Sequence, residues 1–169
     1  DTEYRYRYDE VGNRLAKAVD DVTTTYAYNA LDQLTSETAP TGTTDYEYDG
    51  NGNLKRKSWS GNEINYVYDS RNRLVEVYDG AVQGTPWLEY AYDYAQNRAA
   101  KADNSAGTVV RFLIDENNLT GYSQTFLEFE DDKQTKTKRY DFADDLITQV
   151  DDPDTALEEA HHFLYDGLG

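Results

Sequence analysis

The chain contains no cysteine and no methionine, and only three prolines among its 169 residues. Without a thiol it can form neither a disulfide framework nor a thiolate metal site, and the redox compartment stays open. No run of about 18 apolar residues occurs, so no helical membrane span is encoded. No signal peptide is visible, and the start at Asp1 is expected of an excised or processed piece. Positive charge is scarce: 16 Lys and Arg stand against 33 Asp and Glu, a formal −17. Such a surface repels phosphate backbones, which argues against a nucleic-acid partner. There is no Gly-x-Ser-x-Gly, no phosphate-binding glycine loop and no cysteine nucleophile.

Aromatic residues are abundant, with 16 Tyr, 5 Phe and 2 Trp. That content separates the chain from acidic disordered segments, which are poor in aromatics. The tyrosines also recur in register. The second residue of each Tyr-x-Tyr pair falls at Tyr8, Tyr28, Tyr48, Tyr68 and Tyr92, so the steps are 20, 20, 20 and 24. Tyr6, Tyr26, Tyr46, Tyr66 and Tyr90 keep the same step, and a weaker copy follows at Phe112-Leu113-Ile114-Asp115. A fixed period of this kind is the signature of a repeat architecture.

Each unit reads as a β-hairpin. Tyr-x-Tyr places two rings on one face of a strand, because strand side chains alternate, and tyrosine favours strands. Asp9, Asn29, Asp49, Asp69 and Asp93 come next; side chains of this type bond the backbone two residues on and start a turn. Four residues past the tyrosine stand Gly12, Asp32, Gly52, Asn72 and Gln96, of which all but Gln96 are types that tolerate positive φ. A leucine restarts the chain at Leu15, Leu34, Leu54 and Leu74. A lone hairpin is marginal in water; stacked hairpins accumulate stability unit by unit, with aromatic cross-strand pairs expected at roughly 0.2–1 kcal/mol each. The expected fold is all-β: one curved antiparallel sheet with an aromatic face and a wet face. The sheet would comprise five to six hairpin units over 1–115 and a continuation over 116–169, with a longer acidic connection near 150–160. A propeller with two repeats per blade is the rival arrangement.

The stretches YRYDEVGNRL (6–15), YEYDGNGNL (46–54), YVYDSRNRL (66–74) and YAYDYAQNR (90–98) resemble the YD-repeat, or Rhs-repeat, family. FLIDENNLTGYSQ (112–124), RYDFADDLITQ (139–149) and FLYDGLG (163–169) resemble later segments of Rhs proteins, in the family's order. Asn29 in place of Asp, Gln96 in place of Gly, and the inserted GAVQGTPW (80–87) depart from the pattern. The resemblance implies a sheet that spirals into a hollow shell, as in Rhs proteins, toxin-complex components and teneurins. In the bacterial toxins the shell encloses a C-terminal toxic domain, released by an aspartate-based self-protease near the shell's end. By this reading the chain is a non-enzymatic shell segment of a secreted or surface bacterial protein. It binds no cofactor, its partners are the rest of its shell and the toxic cargo, and the protease would lie beyond Gly169. The alternative is a surface adhesion module whose aromatic face stacks on glycan or meets protein. The more economical view is that the rings serve the sheet itself.

Other candidates carry weaker patterns. Glu158-Glu159-Ala160-His161-His162 holds two Glu-x-x-His spacings that a helix could aim at a metal, but such pairs need further ligands, and the resemblance places this stretch on a strand. Asp49-Gly50-Asn51-Gly52-Asn53 resembles half a calcium loop without the later glutamate. Asp131-Asp132, Asp144-Asp145 and Asp151-Asp152 are adjacent carboxylates that point to opposite faces of a strand, as poor a pair for glycoside chemistry as for any other. Finally, cut sheet edges near 2–8 and 161–166 are expected to self-associate.

Overall fold

The computed structural model describes residues 2–118, 121–131, 135–142, 146–151, 153 and 159–162. These contain fifteen β-strands and no helix. The chain divides into two compact units, 1–86 and 87–169. The boundary lies inside the inserted stretch 80–87, whereas the repetition of sequence motifs runs on to about 115. The first unit holds β1 (Tyr4–Tyr8), β2 (Arg14–Val19), β3 (Val22–Tyr28), β4 (Leu34–Ala39), β5 (Gly42–Tyr48), β6 (Leu54–Trp59), β7 (Asn62–Tyr68) and β8 (Leu74–Asp79). The second holds β9 (Leu88–Tyr92), β10 (Arg98–Asp103), β11 (Thr108–Asp115), β12 (Gln124–Glu130), β13 (Lys136–Phe142), β14 (Leu146–Asp151) and β15 (Glu159–His162).

Within each unit every strand pairs antiparallel with its neighbour in sequence. Chain-order pairing follows from short connections. In the first unit a five-residue loop after each Tyr-x-Tyr strand alternates with a two-residue turn such as Asp20-Asp21 or Ser60-Gly61. Each 20-residue period therefore makes two strands and two turns, and all the YD turns of a unit fall along one edge.

Every YD hairpin also carries a one-residue β-bulge at the same place. Arg7 pairs Ala16 but Tyr8 pairs Arg14; Glu47 pairs Arg56 but Tyr48 pairs Leu54; Ala91 pairs Ala100 but Tyr92 pairs Arg98. The skipped residues are Leu15, Lys55 and Ala99, with Thr35 and Val75 in the hairpins between. This corrects one sequence equivalence. Leu34, Leu54 and Leu74 stand opposite the second tyrosine, but in the first hairpin Arg14 takes that place and Leu15 is the bulged residue.

The sheet buries little. Val77, Tyr78, Ala100, Val150 and Pro153 are buried, as are the polar Asn65 and Thr148. Burial alternates cleanly in β3 and β5: Thr24, Tyr26, Tyr28, Thr44, Tyr46 and Tyr48 are half-buried, and the intervening residues are exposed. One face is thus partly covered by its own rings while the other is wet.

Candidate functional site: the tyrosine face and the turn ladder

Register fixes which residues share a face. Tyr6 opposes Lys17, and Lys17 opposes Thr24, two residues from Tyr26. Tyr26 opposes Glu37, Glu37 opposes Thr44, Tyr46 opposes Lys57, Lys57 opposes Ile64, and Tyr66 opposes Val77. Directly opposed residues lie on one side of a sheet, so Tyr6, Tyr8, Tyr26, Tyr28, Tyr46, Tyr48, Tyr66 and Tyr68 line one face of the first unit. In the second unit Tyr90 opposes Lys101 and Lys101 opposes Val110, which puts Tyr90 and Tyr92 on one face with Phe112.

The same register corrects the expectation of cross-strand aromatic pairs. Within the first unit equivalent tyrosines lie two strands apart, about 10 Å, with Lys17, Glu37 or Lys57 between them. The ring pairs among the described residues are Tyr6–Tyr8 and Tyr140–Phe142, both within one strand, at 6.5 Å between centroids. The rings instead meet cations. Arg14 lies over Tyr26 at 4.4 Å, Lys57 over Tyr46 at 5.9 Å and over Trp59 at 5.5 Å, and Arg98 over Tyr90 at 5.3 Å and Phe112 at 5.8 Å. The phenol groups find backbone partners in the preceding hairpin: Tyr28 Oη donates to Arg14 O at 3.1 Å and Tyr48 Oη to Leu34 O at 2.9 Å. Burial raises the hydroxyl pKa of Tyr26, Tyr46, Tyr48, Tyr66 and Tyr68 above the usual phenol range, so these groups stay protonated and able to donate.

The YD turns share one hydrogen-bond plan. Asp49 N donates to Asn53 O at 2.9 Å and Gly52 N to Asp49 O at 3.1 Å. Asp49 Oδ1 accepts from Asn51 N and Asn53 N, both at 2.9 Å, and Oδ2 accepts from Asn53 Nδ2 at 2.9 Å. Asp9 repeats the plan with Val11 and Asn13, Asp69 with Arg71 and Arg73, and Asp93 binds Asn97 through both N and Nδ2. The fourth residue of each turn has positive φ: Gly12 98°, Asp32 57°, Gly52 88°, Asn72 60° and Gln96 75°. Gln96 thus adopts the glycine-type conformation without being a residue that favours it.

Asn29 keeps the plan with different chemistry. Its Oδ1 accepts from Leu31 N and Gln33 N, while its Nδ2 donates to Gln33 Oε1 at 2.8 Å. Where the other turns pair a carboxylate acceptor with an Asn or Arg donor, this one reverses the roles, and the longer glutamine supplies the acceptor.

The carboxylates titrate accordingly. The Arg73 guanidinium, with the amides of Arg73 and Arg71, holds Asp69 down to about 2. The Asn53 side chain and neighbouring amides lower Asp49. Desolvation pushes Asp9 up, and the Asn13, Val11 and Gly12 donors together outweigh it, so its pKa is lowered. With its oxygens already accepting N–H groups, the Asp49 loop presents no carboxylate set apart for a cation.

The turns also bond to one another. Asn13 Nδ2 donates to Asp32 Oδ1 at 2.9 Å, Gln33 Nε2 to Gly52 O at 3.4 Å, Asn53 Nδ2 to Asn72 Oδ1 at 3.1 Å, and Asn97 Nδ2 to Glu116 Oε1 at 2.6 Å. Each rung spans 19 residues and starts from the last residue of one turn; the first three end on the positive-φ residue of the next turn, Asp32, Gly52 or Asn72. Two of these donors, Asn13 and Asn53, stand in a Gly-Asn pair of the motif, but no pattern within one repeat shows what they reach in the next.

On the wet face Arg56 is clamped between Glu47 and Glu63, the latter at 3.2 Å. The remaining candidates fare differently. Residues 159–162 form β15, so the i, i+3 pairing that a helix would supply is not available there; His161 Nε2 lies 3.4 Å from Asp151. Asp131 pairs with Arg111 at 2.5 Å. Glu158, Asp132, Asp144, Asp145, Asp152 and the stretch 163–169 lie outside the described residues.

Bulged hairpins, each closed by a Tyr-x-Tyr-Asp or Tyr-x-Tyr-Asn turn and tied to one another along one edge within a unit, define a YD-type repeat protein. Residues 1–166 match the teneurin YD-shell family, and the chain belongs to that family. The solved structure of TcdB2-TccC3-TEV is similar with a TM-score of 0.61 and 13% identity, over 97% of this chain and 11% of that one. TcdB2-TccC3 is similar with a TM-score of 0.57 and 12% identity, over 88% and 9%. At such identities the likeness is one of fold, and the chain spans about a tenth of the solved chains' length. No curated protein matches the chain.

Proposed function

We propose that this chain is a wall segment of a shell that encloses a toxic polypeptide belonging to the same protein or its partner. The observation that carries the reading is the turn ladder. Within each unit, hydrogen bonds from one turn to the next make a sheet that extends by addition of like repeats, which is what a wall requires and a compact binding domain does not. Family membership over 1–166 supports the shell role, and the similar structures carry TcdB2 together with TccC3. Residues 116–169 continue the wall, with 150–160 as a longer connection. The segment does no chemistry of its own, holds no cofactor, and belongs to a secreted or surface protein of bacterial origin. In this reading Tyr6, Tyr8, Tyr26, Tyr28, Tyr46, Tyr48, Tyr66, Tyr68, Tyr90 and Tyr92 line the sheet. Asp9, Asp49, Asp69 and Asp93 close its turns, and Gly12 and Gly52 give the backbone its reversal.

Limited proteolysis of the natural full-length protein tests this. The enclosed polypeptide should resist cleavage until the shell is denatured. Cleavage at the rate of an exposed linker in the native protein would overturn it.

A further inference from the structure

Arg14 and Arg98 hold the same hairpin position, opposite Tyr8 and Tyr92, where three other hairpins have leucine. Both guanidinium groups lie over rings, but their nitrogens differ. Arg14 Nε is buried without a hydrogen-bond partner, whereas Arg98 is exposed. Arg98 lies over the rings of Tyr90 and Phe112, with its Cζ 5.3 and 5.8 Å from their centroids, and makes no hydrogen bond or ion pair with any described residue. That is unusual in a chain with 33 carboxylates. The carboxylates close by are already engaged: Asp93 accepts from Asn97 N and Nδ2, and Glu116 accepts from Asn97 Nδ2.

A guanidinium held near two rings without an acceptor of its own keeps its N–H groups available, and their planar fork is the arrangement that receives a carboxylate in bidentate fashion. Arg98 also lines a small open cavity of about 210 Å³ with Asn97, Phe112, Ile114, Ser123 and Thr125. The described lining therefore offers two hydroxyl donors and one guanidinium, and no carboxylate. The volume suits one small group rather than a drug-sized ligand.

We propose that Arg98, with Ser123 and Thr125, forms a carboxylate-binding site for a glutamate or aspartate side chain of a peptide lying along the tyrosine face. A sugar acid fits less well. Sugars dock by stacking on open ring faces, and here Arg98 already occupies the faces of Tyr90 and Phe112. Binding is a single bidentate contact in an open pocket, so its dissociation constant is of order millimolar.

The test is a nuclear magnetic resonance titration of the chain with the peptide acetyl-Gly-Glu-Gly-amide, read at the Arg98 Nε–H resonance. A saturable shift is expected with this peptide and none with acetyl-Gly-Gln-Gly-amide. Arg98→Lys should weaken binding several-fold, since an ammonium cannot make the planar fork, while Arg14→Lys should leave it unchanged. Equal shifts from the glutamine peptide or from sodium chloride would overturn the site. Tighter binding of glucuronate than of the glutamate peptide would overturn the peptide assignment. The wild-type titration decides these points even if a variant fails to fold.

Discussion

Single residues carry the turn, and their roles separate by chemistry. Gly52 has φ 88°, where a side chain costs roughly 1–2 kcal/mol, and an added Cβ would also stand 3.3 Å from Gln33 Nε2, the donor of a ladder rung. Gly12, at φ 98°, has open space there. Gly12→Ala should therefore lower stability by about 1 kcal/mol and Gly52→Ala by somewhat more, measured by urea denaturation; equal, negligible losses would contradict the turn geometry. Asp69 gives a pH signature. Its folded pKa of about 2 lies below the unfolded value, which is about 3.9. Its contribution is present in full above that unfolded value and is lost as pH falls from there toward the folded one. The difference in urea midpoint between the wild type and Asp69→Asn should thus be constant at neutral pH and shrink below about pH 4. A difference that grew on acidification would reverse the assigned sign.

Hairpins are coupled by contacts that no single repeat contains. Asn53 Nδ2 serves both its own turn, at Asp49, and the next, at Asn72. Two modest hydrogen bonds are worth about 0.5–1.5 kcal/mol each, so Asn53→Ala should cost about 1–3 kcal/mol. A double-mutant cycle with Asn72→Ala should show coupling of at least about 0.5 kcal/mol. Tyr48→Phe removes the bond to Leu34 O and should cost about 1 kcal/mol; a neutral result would make the phenol ornamental. The strands, their order of polarity and the turn residues were legible in the sequence because each follows from a local rule: alternation, β-propensity, side-chain capping. The cross-strand partners were not. Leu15 stands one residue further from its tyrosine than Leu34, Leu54 and Leu74 do from theirs, but only the register shows that Arg14 takes the place opposite Tyr8 and Leu15 bulges. Two strands per period put Lys17 and Lys57 between rings that a one-dimensional reading sets side by side. Gln96 takes a positive φ against its own preference because the surrounding turn bonds, Asp93 N to Asn97 O at 3.0 Å and Gln96 N to Asp93 O at 3.2 Å, over-determine it.

At the scale of the molecule, buried apolar area is small and stability must come from many like neighbours. β1 shows what an unpaired neighbour means. All five of its residues are exposed, with Tyr4 at 57%, Tyr6 at 48% and Tyr8 at 55%, whereas Tyr26 and Tyr46 are half-buried. Its outer N–H and C=O groups are a template for another strand. The isolated chain is expected to self-associate at high protein concentration, more strongly as salt screens the −17 charge; light scattering across a salt series that reports a strict monomer throughout would show the edge to be covered. The central claim, that these hairpins are wall rather than binding domain, is tested most directly by electron cryomicroscopy of the natural full-length protein. The account predicts a closed hollow shell in which residues 1–169 run as consecutive strands of the wall, with polypeptide density inside. An extended open sheet enclosing no volume, its tyrosine face free to solvent, would contradict it.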